Sequence, residues 1–213
     1  MQRCRRLRKL RLTLSRRLSR LEKRLNVLGS SSPQDRDIVV AYVPIEALNA
    51  WALFSRSFYL SCALGTRTER NKRVIVAAST VTDHIGFAIT HFKKSAKPNS
   101  GGTWHRRDEP AWHDPNVLMT VCKNLGCSIQ GELEAAFSLQ QTVFKNLPVF
   151  RNFFAHRNEG TSRAARNIAP QYTLPTYISP AELLLTVGPG AHTSLLLMWL
   201  DEIRITAEFI CRA

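Results

Sequence analysis

Leucines recur with a helical period at the start of the chain. Between residues 7 and 28, seven leucines are separated by steps of three or four residues, which places them on one face of a helix. These residues are Leu7, Leu10, Leu14, Leu18, Leu21, Leu25 and Leu28. The pattern predicts an amphipathic helix over residues 3–28 that ends at Gly29 and the polar segment after it.

Helical spacing of apolar residues continues through most of the remaining chain. Glycine, proline or polar segments separate the expected helices. Their ranges are 44–65, 72–95, 116–125, 128–145, 146–158, 180–187 and 193–211. Pro44 disfavours helix at the residue before it, so residues 39–42 are expected to be extended. Asn146 is expected to cap the helix over residues 146–158, and residues 96–115 and 159–178 are expected to be irregular.

No segment shows the alternation of apolar and polar residues that marks a half-buried strand. The predicted fold class is therefore all-α, an up-and-down bundle of four to five long helices with short extra helices. Two regions are expected within it. Residues 1–29 form a basic N-terminal helix, and residues 30–213 form a helical domain.

The composition narrows the class of protein. Of the 213 residues, 44% are hydrophobic and 22% are charged, which is enough to bury a core and excludes a disordered chain. No apolar run approaches the roughly 20 residues of a bilayer span, so a transmembrane protein is excluded. The partner expected for the whole chain is RNA and not a membrane. The five cysteines are scattered and odd in number, which favours a reducing, cytoplasmic setting over a secreted disulfide scaffold.

Positive charge is concentrated at the N-terminus. Residues 1–24 contain eleven Lys or Arg and one acid, in a chain whose formal net charge is +14. Such a segment favours a polyanion as its binding partner: RNA, DNA or an acidic membrane surface. Arg5, Arg6 and Arg8 are RNA-binding candidates within it. A plain bundle helix with solvated arginines and a mitochondrial presequence are the alternatives.

The most informative stretch of the sequence is residues 149–158, where polar, titratable and cationic residues lie at the edge of an apolar stripe. Phenylalanines there supply an apolar stripe, and Asn152 and His156, four residues apart, share the opposite face. Arg151 lies next to Asn152, and its long side chain can approach His156. The alternative is a solvated histidine, because an Arg followed by a His at similar spacing also occurs within residues 106–113.

The segment Phe-Arg-Asn-Phe-Phe-Ala-His-Arg at residues 150–157 resembles the signature of the HEPN superfamily. That signature is an Arg, a polar residue, three to five more residues and then a His, and the spacing here matches its four-residue form. Residues 47–59 and the Trp-His-Asp-Pro loop at 112–115 also look like HEPN-type proteins of bacterial toxin and antiphage-defence systems.

The resemblance implies a metal-independent endoribonuclease that needs no cofactor. HEPN nucleases pair two protomers so that their Arg–His helices form one composite site, which implies a homodimer with RNA as substrate and an antitoxin or regulatory partner. Arg151 and His156 would be catalytic, and Asn152 would support them. Arginines that follow the signature are further candidates for contacts with the RNA backbone. These are Arg157, Arg163 and Arg166.

The residue types suit the implied reaction, in which the RNA 2′-OH attacks its own phosphate and leaves 2′,3′-cyclic phosphate and 5′-OH ends. Histidine acts as acid or base near neutrality, and the planar guanidinium of arginine fits phosphate oxygens. One HEPN toxin subgroup has a Tyr two residues after the His, which a partner antitoxin nucleotidylates, whereas this chain has Asn158 there. The basic N-terminal helix is a second difference from the family. Two other functions stay open: a non-catalytic RNA-binding module on the same fold, and a helical adaptor for an acidic partner.

Overall fold

The chain is built from helices in the part that the computed structural model describes, residues 6–28, 32–78, 80–138 and 142–213. The α-helices are α1 (Leu7–Asn26), α2 (Pro33–Ala63), α3 (His84–Phe92), α4 (Pro115–Leu125), α5 (Gln130–Ser138), α6 (Val143–His156), α7 (Glu159–Arg166), α8 (Pro180–Leu185) and α9 (Leu195–Arg212). Two 3-10 turns cover Arg106–Asp108 and Ala169–Tyr172. Within the described ranges no β-strand forms, only isolated bridges. The predicted all-α class is confirmed.

Two compact units make up the chain, and each combines segments that are distant in sequence. The first unit contains Met1–Thr13, Trp51–Leu139 and Thr206–Ala213. The second unit contains Leu14–Ala50 and Gln140–Ile205. Helices α3, α4 and α5 therefore belong to the first unit, and helices α6, α7 and α8 belong to the second.

Helix α1 confirms the leucine pattern. The seven leucines of the repeat are 0–8% exposed, whereas Leu12, which lies outside the repeat, is 37% exposed. Burial of each leucine of the repeat stabilises the fold by roughly 1.5–3 kcal/mol. In the first unit, the Arg11 guanidinium donates from Nε and Nη2 to the Glu69 carboxylate at 2.5 and 3.2 Å. One of the basic residues of α1 thus has a fixed acidic partner.

Helix α2 is longer than the sequence predicts. It begins at Pro33 and runs through Pro44, so the expected extended segment at residues 39–42 is wrong. Val40 and Val43, beside this proline, are at most 1% exposed. Their burial offsets the hydrogen bond that a proline inside a helix cannot donate.

The continuity of α2 also corrects the expectation that no apolar run approaches the length of a bilayer span. Gln34–Ala63 has a mean hydropathy of 1.5 over its most apolar 18-residue window, so it is long and apolar enough to cross a membrane. Half of that window is buried within the protein. The core helix of a soluble protein passes the same test, which makes a single helix of this kind weak evidence for a membrane span.

The helix predicted over residues 72–95 is wrong except for its C-terminal part, which is α3. The residues before α3 are rich in β-branched side chains, which lower helix propensity. An isolated bridge joins Val76 to Cys127 in this region. Asp83 then begins α3, since its Oδ1 accepts the backbone N–H of Gly86 at 2.8 Å.

Predicted helix ends are confirmed where capping residues mark them. Ser179 and Glu182 form the expected capping box at the start of α8, with Pro180 as the first helical residue. Helix α4 ends at Gly126, whose φ of +68° lies in the left-handed region that favours glycine. Local chemistry alone determines these ends.

The region between α5 and α7 differs from the prediction. Helix α6 begins at Val143 with Thr142 at its N-cap, so Asn146 lies inside α6 and does not cap it. Helix α6 ends at His156, close to the predicted end. Helix α7 and a 3-10 turn then occupy much of residues 159–178, which were expected to be irregular.

Candidate active site on helix α6

Helix α6 has a buried face and an exposed face. The buried side chains are Val143, Phe144, Asn146, Leu147 and Phe150. The exposed polar side chains are Lys145, Arg151, Asn152 and His156. Asn152 and His156, which the spacing places opposite the phenylalanines, are exposed, and Phe150 is fully buried. Phe153 and Phe154, predicted to extend the apolar stripe, are only half-buried.

Arg151 and Asn152 contact each other on the exposed face. Arg151 Nη1 donates a hydrogen bond to Asn152 Oδ1 at 3.2 Å. No hydrogen bond joins Arg151 to His156, which is the last residue of α6, so the approach expected from the length of the arginine side chain is not seen. Asn152 and His156, four residues apart, share one side of the helix. Arg151 lies about 100° further round and reaches this side through its hydrogen bond to Asn152.

This surface has groups for both proton transfer and anion binding. A guanidinium carries five N–H donors. Asn152 accepts from one of those of Arg151, whose side chain is exposed. A histidine side chain takes a proton as the neutral imidazole and gives one as the imidazolium. Because all three side chains are exposed, water weakens their electrostatic interaction with a bound anion unless a second surface covers them.

A buried polar network fixes the other face of α6. Asn146 is 2% exposed and donates from Nδ2 to Gln171 Oε1 and to Tyr172 Oη, both at 3.0 Å. Tyr172 Oη also accepts from Trp199 Nε1 at 2.9 Å and lies 2.6 Å from Thr142 Oγ1. Since this phenol oxygen already accepts two bonds, its own O–H is the donor to Thr142. The network ties α6 to α9 and to the 3-10 turn that ends at Tyr172.

Aromatic packing surrounds the same network. Trp199 is fully buried, and its ring meets Phe150 edge-on at a centroid distance of 5.4 Å and Tyr172 at 6.0 Å. Such pairs contribute about 0.5–1.5 kcal/mol beyond the burial of their area. Tertiary contacts of α6 therefore hold the backbone that presents the candidate site.

Glu202 contacts the first turn of α6. Its Oε2 accepts the backbone N–H of Val143 at 3.2 Å, one of the donors that lack a partner within a helix. Burial raises the pKa of Glu202, and the bond from Val143 opposes this rise. Burial is the larger effect, so ionisation of Glu202 costs stability in the folded protein.

A tight turn joins α6 to α7. Arg157 has a φ of +44° and donates its backbone N–H to the carbonyl of Phe153 at 2.7 Å. Asn158 then caps α7, since its Oδ1 accepts the N–H of Thr161 at 2.9 Å and its own N–H donates to Thr161 Oγ1 at 3.2 Å. This reciprocal capping gives Asn158, the residue that departs from the HEPN toxin subgroup, a structural role.

The RNA-binding candidates lie in both units. Arg157 and Arg163 are exposed. Arg166 is half-buried in the last turn of α7, which packs against α6. Arg6 and Arg8 are exposed and belong to the first unit, and Arg5 lies outside the described residues.

Lys145 and Tyr172 were not predicted from the sequence, and Asn146 was predicted only as a helix cap. Lys145 is a further cation on the exposed face of α6, and its position seven residues before Asn152, two helical turns, was the available signal. Asn146 and Tyr172 form the buried contact beneath the face. They are 26 residues apart in sequence, and no local pattern relates them.

Comparisons with protein-family models, curated proteins and solved structures give no match to this chain. Among the described residues, no three His, Cys, Asp or Glu side chains lie close enough together to hold a metal ion.

Proposed function

We propose that this protein is a metal-independent endoribonuclease of the HEPN type that acts as a homodimer. The exposed face of α6 supports this most, because it carries Arg151, Asn152 and His156 together and Arg151 is hydrogen-bonded to Asn152. The resemblance of the same residues to the HEPN signature supplies the reaction class.

In the proposed reaction, His156 takes the proton from the RNA 2′-OH as a general base. The 2′ oxygen bonds to the adjacent phosphorus while the bond from phosphorus to the 5′ oxygen breaks. The leaving 5′ oxygen receives a proton, which gives a 5′-OH end and a 2′,3′-cyclic phosphate. Arg151 donates to the phosphate oxygens as negative charge builds on them, and Asn152 Oδ1 orients the guanidinium.

Two properties of the exposed face of α6 favour a site that is completed by a second copy of the chain. An in-line displacement places the attacking and leaving oxygens on opposite sides of the phosphorus, so the base and the acid act from two sides. Helix α6 carries one imidazole, that of His156. The exposure of the face to water is the second property, since a facing α6 would exclude that water and supply the other imidazole.

The biological setting that we propose is a cytoplasmic bacterial toxin or antiphage effector, controlled by an antitoxin or another regulatory partner. This setting rests on the HEPN resemblance of residues 47–59, 112–115 and 150–157. The regulatory alternative, an RNA-binding module without catalysis, has the same fold and differs in having no dependence on His156.

Cleavage of a structured RNA pool in EDTA tests the proposal. The parent protein is compared with Arg151→Ala, His156→Ala and the control His192→Ala, which removes an exposed histidine from the loop before α9. We expect the parent and the control to cut RNA and leave cyclic-phosphate ends, and the two α6 variants to be at least about 100-fold slower. Equal cleavage by all four proteins would contradict the catalytic assignment. RNA binding by the parent without any cleavage would support the regulatory alternative.

A further inference from the structure

The second unit contains a cluster of exposed cations on α1 that the proposed catalytic face does not include. Five basic residues occur within nine positions, and every one of them is exposed. They are Arg16, Arg17, Arg20, Lys23 and Arg24, and together they are called the α1 cationic face. Leucines on the opposite side of the same helix are buried, which fixes the direction of this face.

The α1 cationic face has no acidic partner among the described residues. Glu22 is the one acid within α1, and its carboxylate accepts from the Arg204 guanidinium, which also pairs with Asp201. Arg24 lies over the ring of Tyr42, with the guanidinium carbon 4.8 Å from the ring centroid, which restrains that side chain without neutralising its charge. Five unneutralised charges thus remain on one side of the helix.

Helical spacing places these like charges next to one another. Arg20 has cationic neighbours three or four residues away in both directions, and like-charge pairs at this spacing destabilise a helix. A bound polyanion would relieve this repulsion. The repulsion thus lowers the stability of the helix in the free protein, and its relief adds to the free energy of binding a polyanion.

The density of charge fits a nucleic-acid backbone. Residues 16–24 rise about 12 Å along the helix axis, which is one positive charge per about 2.4 Å. Duplex DNA carries one negative charge per about 1.7 Å of axis, and an RNA duplex is a similarly dense polyphosphate. Four of the five side chains are arginines, whose planar forks bind phosphate oxygens in pairs.

A membrane surface fits this face less well. A helix that lies in the membrane interface inserts apolar side chains between the lipids. The leucines of α1 within residues 14–25 are all buried, so none of them is available for insertion. The exposed side of this segment is polar and charged.

We propose that the α1 cationic face binds the phosphate backbone of duplex RNA and holds it on the second unit, which also carries α6. The choice of RNA rests on the proposed function, whereas binding to a phosphate backbone does not. The proposal shifts the RNA-binding role of the N-terminal helix from Arg5, Arg6 and Arg8 to residues 16–24.

The test measures binding to a 20-base-pair RNA duplex with 2′-O-methyl riboses, which cannot be cleaved through the 2′ oxygen. Fluorescence anisotropy at several salt concentrations compares the parent with Arg16→Gln/Arg20→Gln/Lys23→Gln. A matched variant removes two arginines and one lysine from exposed positions in the first unit. It carries Lys97→Gln, Arg106→Gln and Arg107→Gln.

We expect the α1 variant to bind at least tenfold more weakly near 0.1 M salt, and the slope of log affinity against log salt to fall by about 2–3. The matched variant should change the slope by less than about 1. Circular dichroism should show unchanged helix content in both variants, since the replaced side chains are exposed. Equal RNA binding by the parent and both variants would overturn the proposal.

Two further arms separate the alternatives. Vesicles of phosphatidylserine and phosphatidylcholine should bind the parent more weakly than RNA does, and the reverse order would overturn the proposal in favour of a membrane surface. Tighter binding to a DNA duplex of the same sequence than to the RNA would also overturn it. Cleavage of ordinary RNA is measured separately, so loss of duplex binding in the α1 variant would support the α1 cationic face even if His156→Ala left cleavage intact.

Discussion

Replacement of Tyr172 by Phe removes one oxygen atom from the network that anchors α6. That oxygen accepts from Trp199 Nε1 and Asn146 Nδ2 and pairs with Thr142 Oγ1. Trp199 is 0% exposed and Asn146 is 2% exposed, so water cannot replace the lost acceptor for either donor. Thr142 is half-buried and can turn its hydroxyl towards solvent.

The size of the effect follows from the two stranded donors. A buried donor without a partner costs about 1–3 kcal/mol, so the two stranded donors in Tyr172→Phe should lower the free energy of unfolding by about 2–6 kcal/mol. For a chain of this length, each kcal/mol lowers Tm by about 2–4 °C, so the expected decrease is at least roughly 4 °C. Typical domains have a stability of about 5–15 kcal/mol, so a loss in the lower half of the expected range leaves the variant folded.

Urea unfolding followed by circular dichroism measures this loss, and hydrogen exchange of the backbone amides of residues 143–156 localises it to α6. The matched control is Tyr177→Phe, which removes the same atom from a side chain that is 84% exposed. The control should remain within about 0.5 kcal/mol of the parent. If Tyr172→Phe also remained within that range, the network would not anchor α6.

Two further predictions concern the two units separately. In the second unit, burial raises the pKa of Glu202. The stability that protonated Glu202 contributes is therefore complete below the ordinary glutamate pKa of about 4, and it is lost as pH rises through the folded pKa. Urea titrations should show Glu202→Gln becoming more stable relative to the parent between pH 4 and pH 8, and a pH-independent difference would contradict this. In the first unit, Gly126→Ala should cost about 2–3 kcal/mol in thermal unfolding, because its φ is +68° and the new Cβ would lie 2.6 Å from Ala77 Cβ. Gly131→Ala, inside α5 with no atom within 4 Å of the new Cβ, should be neutral or stabilising, and equal losses in both glycine variants would refute the strain at Gly126.

Apolar periodicity and capping residues predicted the elements whose ends and buried faces depend on neighbouring residues in the sequence. The leucine repeat predicted α1, and the capping box of Ser179 and Glu182 predicted the start of α8, because each depends on residues within one or two turns of each other. The exposure of Arg151, Asn152 and His156 followed in the same way from the helical period of α6.

The segments that were predicted wrongly are ones whose conformation depends on contacts with residues distant in sequence. Helix α2 runs through Pro44 because the residues beside it are buried. The described residues between 72 and 83 are not helical, because β-branched side chains and contacts outside the segment outweigh their apolar spacing. Asn146 was expected at a helix cap, but its partner Tyr172 lies 26 residues away and draws it into the core. The Arg151 contact with Asn152, in place of His156, depends on side-chain rotamers that spacing does not determine.

Removal of a single 2′-hydroxyl from the substrate tests RNA cleavage by the α6 face most directly. An RNA with a mapped cut site is synthesised again with one 2′-deoxy nucleotide on the 5′ side of the scissile phosphate, and it is incubated with the protein in EDTA. Cleavage should disappear at that bond alone, while other bonds in the same molecule are still cut and end in 2′,3′-cyclic phosphates. Continued cleavage at the deoxy position, or complete loss of cleavage in EDTA, would contradict a metal-independent reaction through the 2′ oxygen.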